Sequence, residues 1–287
     1  MPRFSFSLIL SAMSLATGIA HAEPQRIVSV GGSVTEVLYA VGVQERIVGV
    51  DSTSLYPADA LTTKPDVGYL RALSPEGILA LSPDLIVLEK DAGPREAVEL
   101  IDQAGVSVVH VPAGYELVEL PQKIRAIADA VGKKTEGDHL ASDVEADLAG
   151  LKRDLAGVEK KKRVLFILSL TDGRPMAAGA NTAADGIIRL AGAENVFSEI
   201  TGYKTISPEA AAALQPDAIL MITRSGAAHE GTDILKQPAF AETPAGRTGA
   251  FIKMDGLYLL GFGPRTPQAA RDLAARLYPD LKLASSQ

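Results

Sequence analysis

Gly68-Tyr69-Leu70-Arg71-Ala72-Leu73-Ser74-Pro75-Glu76, followed by Ala80-Leu81-Ser82-Pro83-Asp84, returns later in the chain. The second copy reads Gly202-Tyr203-Lys204-Thr205-Ile206-Ser207-Pro208-Glu209, then Ala213-Leu214-Gln215-Pro216-Asp217. Ser74 and Ser207, Glu76 and Glu209, and Asp84 and Asp217 are each 133 positions apart. A fixed offset marks one structural unit used twice. Upstream, Leu38 to Gly42 has a counterpart in Ile188 to Gly192.

Short β-branched runs alternate with helical patterns around both copies. Arg26 to Val30, Ile47 to Val50, Asp84 to Leu88 and Val106 to Val111 read as strands. Val34 to Val41 carries apolar residues at i, i+3, i+4 and i+7 and predicts a helix, with Ser33 or Thr35 as N-cap and Gly42 as stop. Helices are also expected from Ser74 to near Leu81 and over Ala97 to Ala104. The pattern restarts with a strand over Val164 to Leu168 and another over Ala218 to Ile222. This order predicts an α/β protein of two similar Rossmann-like lobes with mainly parallel central sheets. Between them, Leu140, Val144, Leu148, Leu151 and Leu155 form a helical apolar stripe, expected to be one long inter-lobe helix. The expected division is 1–22 signal peptide, 23–134 first lobe, 135–158 connecting helix and 159–287 second lobe. A ligand cleft is expected between the lobes, where pockets favour a seam.

The first 22 residues read as an export signal. Arg3 supplies a positive start, Phe4 to Ala16 an apolar stretch, and Ala20-His21-Ala22 a cleavage site. The mature protein is expected to start near Glu23, to be soluble, and to reside in a periplasm of Gram-negative type. The 287-residue chain has no cysteine, which excludes disulfides, thiolate metal sites and a lipid anchor on Cys. Net charge is −7, and Lys160 to Arg163 is the longest basic run, so nucleic acid is not an expected partner. The three histidines after the signal, His110, His139 and His229, have no ligand-like spacing. There is no G-x-S-x-G elbow, Walker sequence or H-E-x-x-H. An exported hydrolase is therefore the weakest of three functional readings, and no enzyme activity is expected. Gly31-Gly32-Ser33 follows a strand and opens a helix, but lacks the third glycine and the lysine of a phosphate loop, which favours a simple tight turn.

The two Ser-Pro-Glu triplets initiate helices, with Ser as N-cap, Pro at the first position and Glu at the positive end of the dipole. The same acid in both lobes also suits docking onto basic sockets of a symmetric partner. Tyr69 admits two readings. It is a loop tyrosine with its ring on the core and its hydroxyl in water, or it is a metal-binding phenolate. The second needs a phenol pKa of about 10 to fall, which ferric iron and a nearby arginine would achieve. Arg71 and Arg224 are the candidate arginines, Arg224 lying just past a predicted strand end.

These residues resemble a known family, the periplasmic haem-binding proteins of bacterial haemin ABC importers. The resemblance rests on Arg26 to Glu36, Asp66 to Glu76, Arg174 to Asp185 and Gly202 to Glu209, and spans essentially the whole mature chain. The wider superfamily of helical-backbone binding proteins includes siderophore and cobalamin carriers, which are the alternative reading. The resemblance implies haem as transported ligand, with Tyr69 as its axial iron ligand, tyrosinate being an established haem ligand. It implies Arg224 beside that phenolate, Arg71 on a propionate, and Glu76 and Glu209 on arginines of an inner-membrane ABC permease with its ATPase. Met176, Tyr203, Leu70 and Phe262 are read as loop residues, with covering the porphyrin and packing in the core as equal alternatives for each. An outer-membrane haem receptor system is the implied donor, and a monomer the expected state. Some relatives add a second-lobe histidine to the iron. Leu168-Ser169-Leu170-Thr171-Asp172 has none, so five-coordinate iron on Tyr69 is expected.

Overall fold

A computed structural model describes residues 23–112, 114–116, 118–223 and 232–281. The expected signal peptide and Arg224 lie outside the described residues. The first sheet contains β1 (Ile27–Val30), β2 (Ile47–Val50), β3 (Leu85–Glu89) and β4 (Ser107–Val111), in the order β2-β1-β3-β4 and parallel throughout. All of β1 and the first four residues of β3 are buried. Such unbroken apolar runs suit a parallel sheet with helices on both faces.

The second sheet is built from β5 (Arg163–Thr171), β6 (Arg174–Ala178), β7 (Glu194–Asn195), β8 (Tyr203–Thr205), β9 (Ala218–Thr223) and β10 (Phe251–Asp255). Its order is β10-β9-β5-β6-β8, with β7 pairing β5. The β10-β9-β5 part is parallel, but β6 runs antiparallel to β5, and β8 antiparallel to β6. The sheet is thus parallel-rich rather than parallel throughout. The cause is the two-residue turn Asp172-Gly173, with φ of 51° and 74°. Two left-handed residues in succession make a hairpin turn, and Asp-Gly is a favoured pair for it.

The 133-residue repeat has a structural reason beyond helix starts. In the first lobe Asp84 accepts hydrogen bonds from the amides of Gln25 and Arg26, at 2.8 and 2.9 Å, while the Arg26 side chain bonds the Ser82 carbonyl. In the second, Asp217 accepts from the amide of Arg163 at 2.9 Å, and the Arg163 side chain bonds the Leu214 carbonyl. The arginine and the aspartate brace neighbouring strand starts in both lobes. Ser82 and Gln215 each turn the chain before Pro-Asp with a left-handed backbone, φ 48° and 47°.

A 21-residue helix, Lys134–Asp154, passes between the two cores. Ala141, Val144 and Leu148 join the first lobe's core and Leu151 joins the second's. Near its start Gly137 lies against Ala128, where a Cβ would sit 2.2 Å from that methyl. Its last turn is tied to the second lobe by an ion pair between Asp154 and Arg271.

The seam between lobes carries more charge. Glu36, 6% exposed, accepts from the amide and guanidinium of Arg265 at 3.1 and 2.9 Å. Arg189 pairs with Glu116 at 2.7 Å. Lys123 is fully buried and donates to Ser33 Oγ, Glu89 Oε1 and the Phe262 carbonyl. Removing one partner of a buried pair leaves the other charge stranded, at about 3–5 kcal/mol. Lys123→Ala is expected to lose stability of that order, read as a lower urea midpoint with unchanged slope. A loss under ~1 kcal/mol would show that the Glu89 carboxylate is rescued by water.

Ser33 and Thr35 are not N-caps. The first helix, Gly32–Ala40, starts two residues earlier than expected behind Gly31, with no side-chain cap. The Ser33 hydroxyl bonds Glu89, and that of Thr35 lies between Ser29 and Ser54. The Gly31 and Gly32 amides are likewise engaged, by Asp51 Oδ1 at 2.8 Å and Thr53 Oγ1 at 2.9 Å. With both amides satisfied internally, this segment is a packed tight turn rather than an anion cradle.

Candidate functional site

Tyr69 is presented by a loop whose apolar residues face inward. Val67, Leu70 and Leu73 are each 6% exposed, whereas Tyr69 between them is 45% exposed. Backbone bonds hold this alternation in place. The Val67 amide donates to Val50, that of Ser52 to Gly68, that of Gly93 to Leu70 and that of Leu73 to Gly93. Gly68 turns with φ 95°, and its amide caps onto Asp66 Oδ1 at 2.8 Å. With three anchors buried, the phenol has one direction left, outward.

Arg71 folds back onto Tyr69, its Nη1 donating to the phenol oxygen at 3.0 Å. Its Nη2 lies 3.4 Å from Asp91 Oδ2, and the same oxygen accepts from the Tyr115 hydroxyl at 2.9 Å. Tyr115 meets Phe262 of the second lobe edge to face, centroids 5.3 Å apart. Burial first, then Asp91, pushes the Tyr115 pKa far upward, so its hydroxyl keeps its proton and donates. Burial works against the Arg71 charge, but its bond to Tyr69 and the field of Asp91 more than offset this, and its pKa rises. A phenolate is a hard oxygen ligand suited to ferric iron.

The second lobe contributes Tyr203 and Met176. Both were expected in loops and both lie on strands, because the Asp172-Gly173 turn extends the sheet by β6 and β8. Tyr203 pairs with Ala178 and Met176 with Thr205, which puts Tyr203 and Met176 on one face of this antiparallel pair. Tyr203 is 42% exposed, yet burial raises its pKa, with Arg71 lowering it and Asp91 raising it. The second-lobe phenol therefore lies within the field of the first lobe's Arg71 and Asp91. For Leu70 and Phe262 the core alternative holds, at 6% and 2% exposed.

Glu76 and Glu209 occupy equivalent places. Each is exposed in the first turn of a short helix, Pro75–Leu79 or Pro208–Ala213. Ser74 Oγ accepts from the Gly77 amide at 3.2 Å, and Ser207 Oγ from the Ala210 amide at 3.1 Å. Helix initiation is thus realised in both copies, and both carboxylates remain open to solvent. Asp91 and Tyr115 were not anticipated. The available signal was position, since Asp91 follows β3 at a carboxyl end of the sheet, where α/β folds place ligand groups. His110 pairs with Asp102 on the surface at 2.9 Å. Among the described residues no cluster of three His, Asp or Glu could hold a bare metal ion, and no helix is long and apolar enough to cross a membrane.

Two linked α/β lobes with facing polar and aromatic groups define a binding protein of the two-lobed type. The chain belongs to the periplasmic binding protein family, whose model matches residues 27–257. It is similar to a periplasmic haem-binding protein, RhuT, from Roseiflexus sp. RS-1 in apo form, at 40% identity and TM-score 0.83, covering 90% of this chain and 99% of that one. A periplasmic haem-binding protein from Pseudomonas aeruginosa is 35% identical with TM-score 0.82, over 92% of this chain and 96% of the other. The vitamin B12-binding protein of Pectobacterium atrosepticum is 28% identical over 99% of this chain and 98% of its own length.

Proposed function

We propose that this protein is a non-enzymatic carrier that captures haem in the periplasm and delivers it to an inner-membrane ABC permease with its ATPase. The observation that carries the reading is the exposed Tyr69 phenol with Arg71 Nη1 3.0 Å from its oxygen. Tyr69 would ligate the ferric iron. Arg71 would steady the phenolate and reach a propionate, for which a planar guanidinium is suited. Arg224 would add a second positive charge near the phenolate. Tyr203 and Met176 would lie against the porphyrin from the second lobe. Glu76 and Glu209 would dock onto basic residues of the permease.

The same reading takes 1–22 as a signal peptide cleaved near Ala22, 23–134 and 159–287 as lobes, and 135–158 as their connector. A soluble monomer in a periplasm of Gram-negative type, supplied by an outer-membrane haem receptor system, completes it. Full-length similarity to a vitamin B12-binding protein supports cobalamin as the second reading of the cargo. A ferric siderophore, which brings its own iron ligands, is a third cargo of the same class. Titrations with haemin, cyanocobalamin and a ferric siderophore separate them. Haemin is expected to bind at least about 100-fold more tightly, ~2.7 kcal/mol, than the others. Tighter cobalamin binding would transfer the assignment to the second reading.

A further inference from the structure

The cleft holds an acid that a receiver of an anionic cargo does not need for capture. Asp91 stands two residues past β3, its side chain 38% exposed. The neighbouring acid is treated differently, because Glu89 is bonded by the fully buried Lys123. Asp91 has Arg71 as its ion-pair partner among the described residues, at 3.4 Å, and must share it with the Tyr69 hydroxyl. Its closer contact is the Tyr115 hydroxyl at 2.9 Å. Tyr115 is a neutral donor, kept protonated by burial and by Asp91 itself. It therefore fixes the carboxylate in place without cancelling its charge, as a lysine would.

The consequence for haem follows from charge. Ferric iron, the porphyrin dianion and one phenolate sum to zero, which leaves the propionates as the net charge of the bound cargo. Arg71 already has Nη1 on Tyr69 and Nη2 facing Asp91. A propionate that seeks this guanidinium must displace a carboxylate and remain near it, and like charges a few ångströms apart in a partly desolvated cleft repel.

We propose that Asp91 is the affinity-limiting residue of the cargo site: its carboxylate, anchored by Tyr115, competes with the propionates for Arg71 and so keeps the cargo releasable. The proposal rests on the haem reading above. A carrier must give up what it binds, and a fixed competing acid weakens capture without removing the iron ligand.

The test is the rate at which ferric haem passes from the loaded protein to excess apomyoglobin. Asp91→Asn is nearly isosteric and keeps an oxygen for Tyr115 and Arg71. It is expected to release haem about three- to tenfold more slowly at low salt, with the difference shrinking at 1 M salt as screening takes over. With haem dimethyl ester, which lacks propionate charge, variant and wild type should release at equal rates. Asp91→Glu retains the charge and should keep the fast release. Equal or faster release from Asp91→Asn, or an equal gap with the dimethyl ester, would overturn the role of Asp91 while leaving haem as the cargo. Failure of the wild type to bind haemin would overturn the cargo assignment and this proposal together.

Discussion

Tyr69→Ala is expected to weaken ferric haem binding by about two orders of magnitude or more and to abolish any phenolate-to-iron absorption. The magnitude follows from what the phenol does. Loss of groups that merely orient a metal ligand costs about 10–100-fold in affinity, so loss of the ligand itself belongs at or above that range. Tyr69 is held outward by three buried neighbours, Val67, Leu70 and Leu73. Truncating it removes little core packing, so the melting temperature should stay near the wild-type value. That separation of binding from stability is the signature of a ligand rather than a structural tyrosine. Tyr69→Phe, which keeps the ring and deletes the oxygen, should behave like the alanine variant. If either variant binds haemin with wild-type affinity and spectrum, the iron is held elsewhere.

The second large effect is expected at the permease. Replacing both Glu76 and Glu209 by alanine should reduce stimulation of the transporter's ATPase at least about tenfold, while haem affinity is unchanged. Close charge pairs at an interface couple by about 1.5 kcal/mol or more each, so losing one per lobe suffices for that factor. The geometry separates the two functions. Both acids stand exposed on short helices capped by Ser74 and Ser207. Tyr69, by contrast, has its hydroxyl engaged by Arg71. The serine caps remain intact in the double variant, so both helices should still form. Single variants should each lose part of the effect. Normal stimulation by the double variant would remove the docking role and leave the acids as helix starters only.

What could be read before the structure, and what could not, follows from the range of the forces involved. The Ser-Pro-Glu and Pro-Asp repeats were legible because their causes are local, a cap within three residues and a turn before a strand. Asp172-Gly173 was equally local, yet within the mainly parallel sheets that were expected the hairpin that carries Met176 and Tyr203 went unread. Lys123 reads in sequence as one more charge on a helix. Its burial depends on Ser33 and Glu89, 90 and 34 positions away. Glu36 and Arg265 are 229 apart, and nothing near either announces the other. Asp91 and Tyr115 belong to the same class, single loop residues with no periodicity or motif: Asp91 takes its meaning from Arg71 and Tyr115, 20 and 24 positions away, and Tyr115 also from Phe262 of the second lobe. Tyr69 stood out because its loop carries the first copy of the repeat's signature and an arginine two positions on.

The central claim is that Tyr69 gives this protein a phenolate for ferric haem, and the absorption spectrum of a haemin titration tests it most directly. The account predicts saturable binding and a high-spin ferric spectrum of the tyrosinate type. Haemin left with its free-solution spectrum, or a low-spin spectrum that persists in Tyr69→Ala, would contradict it.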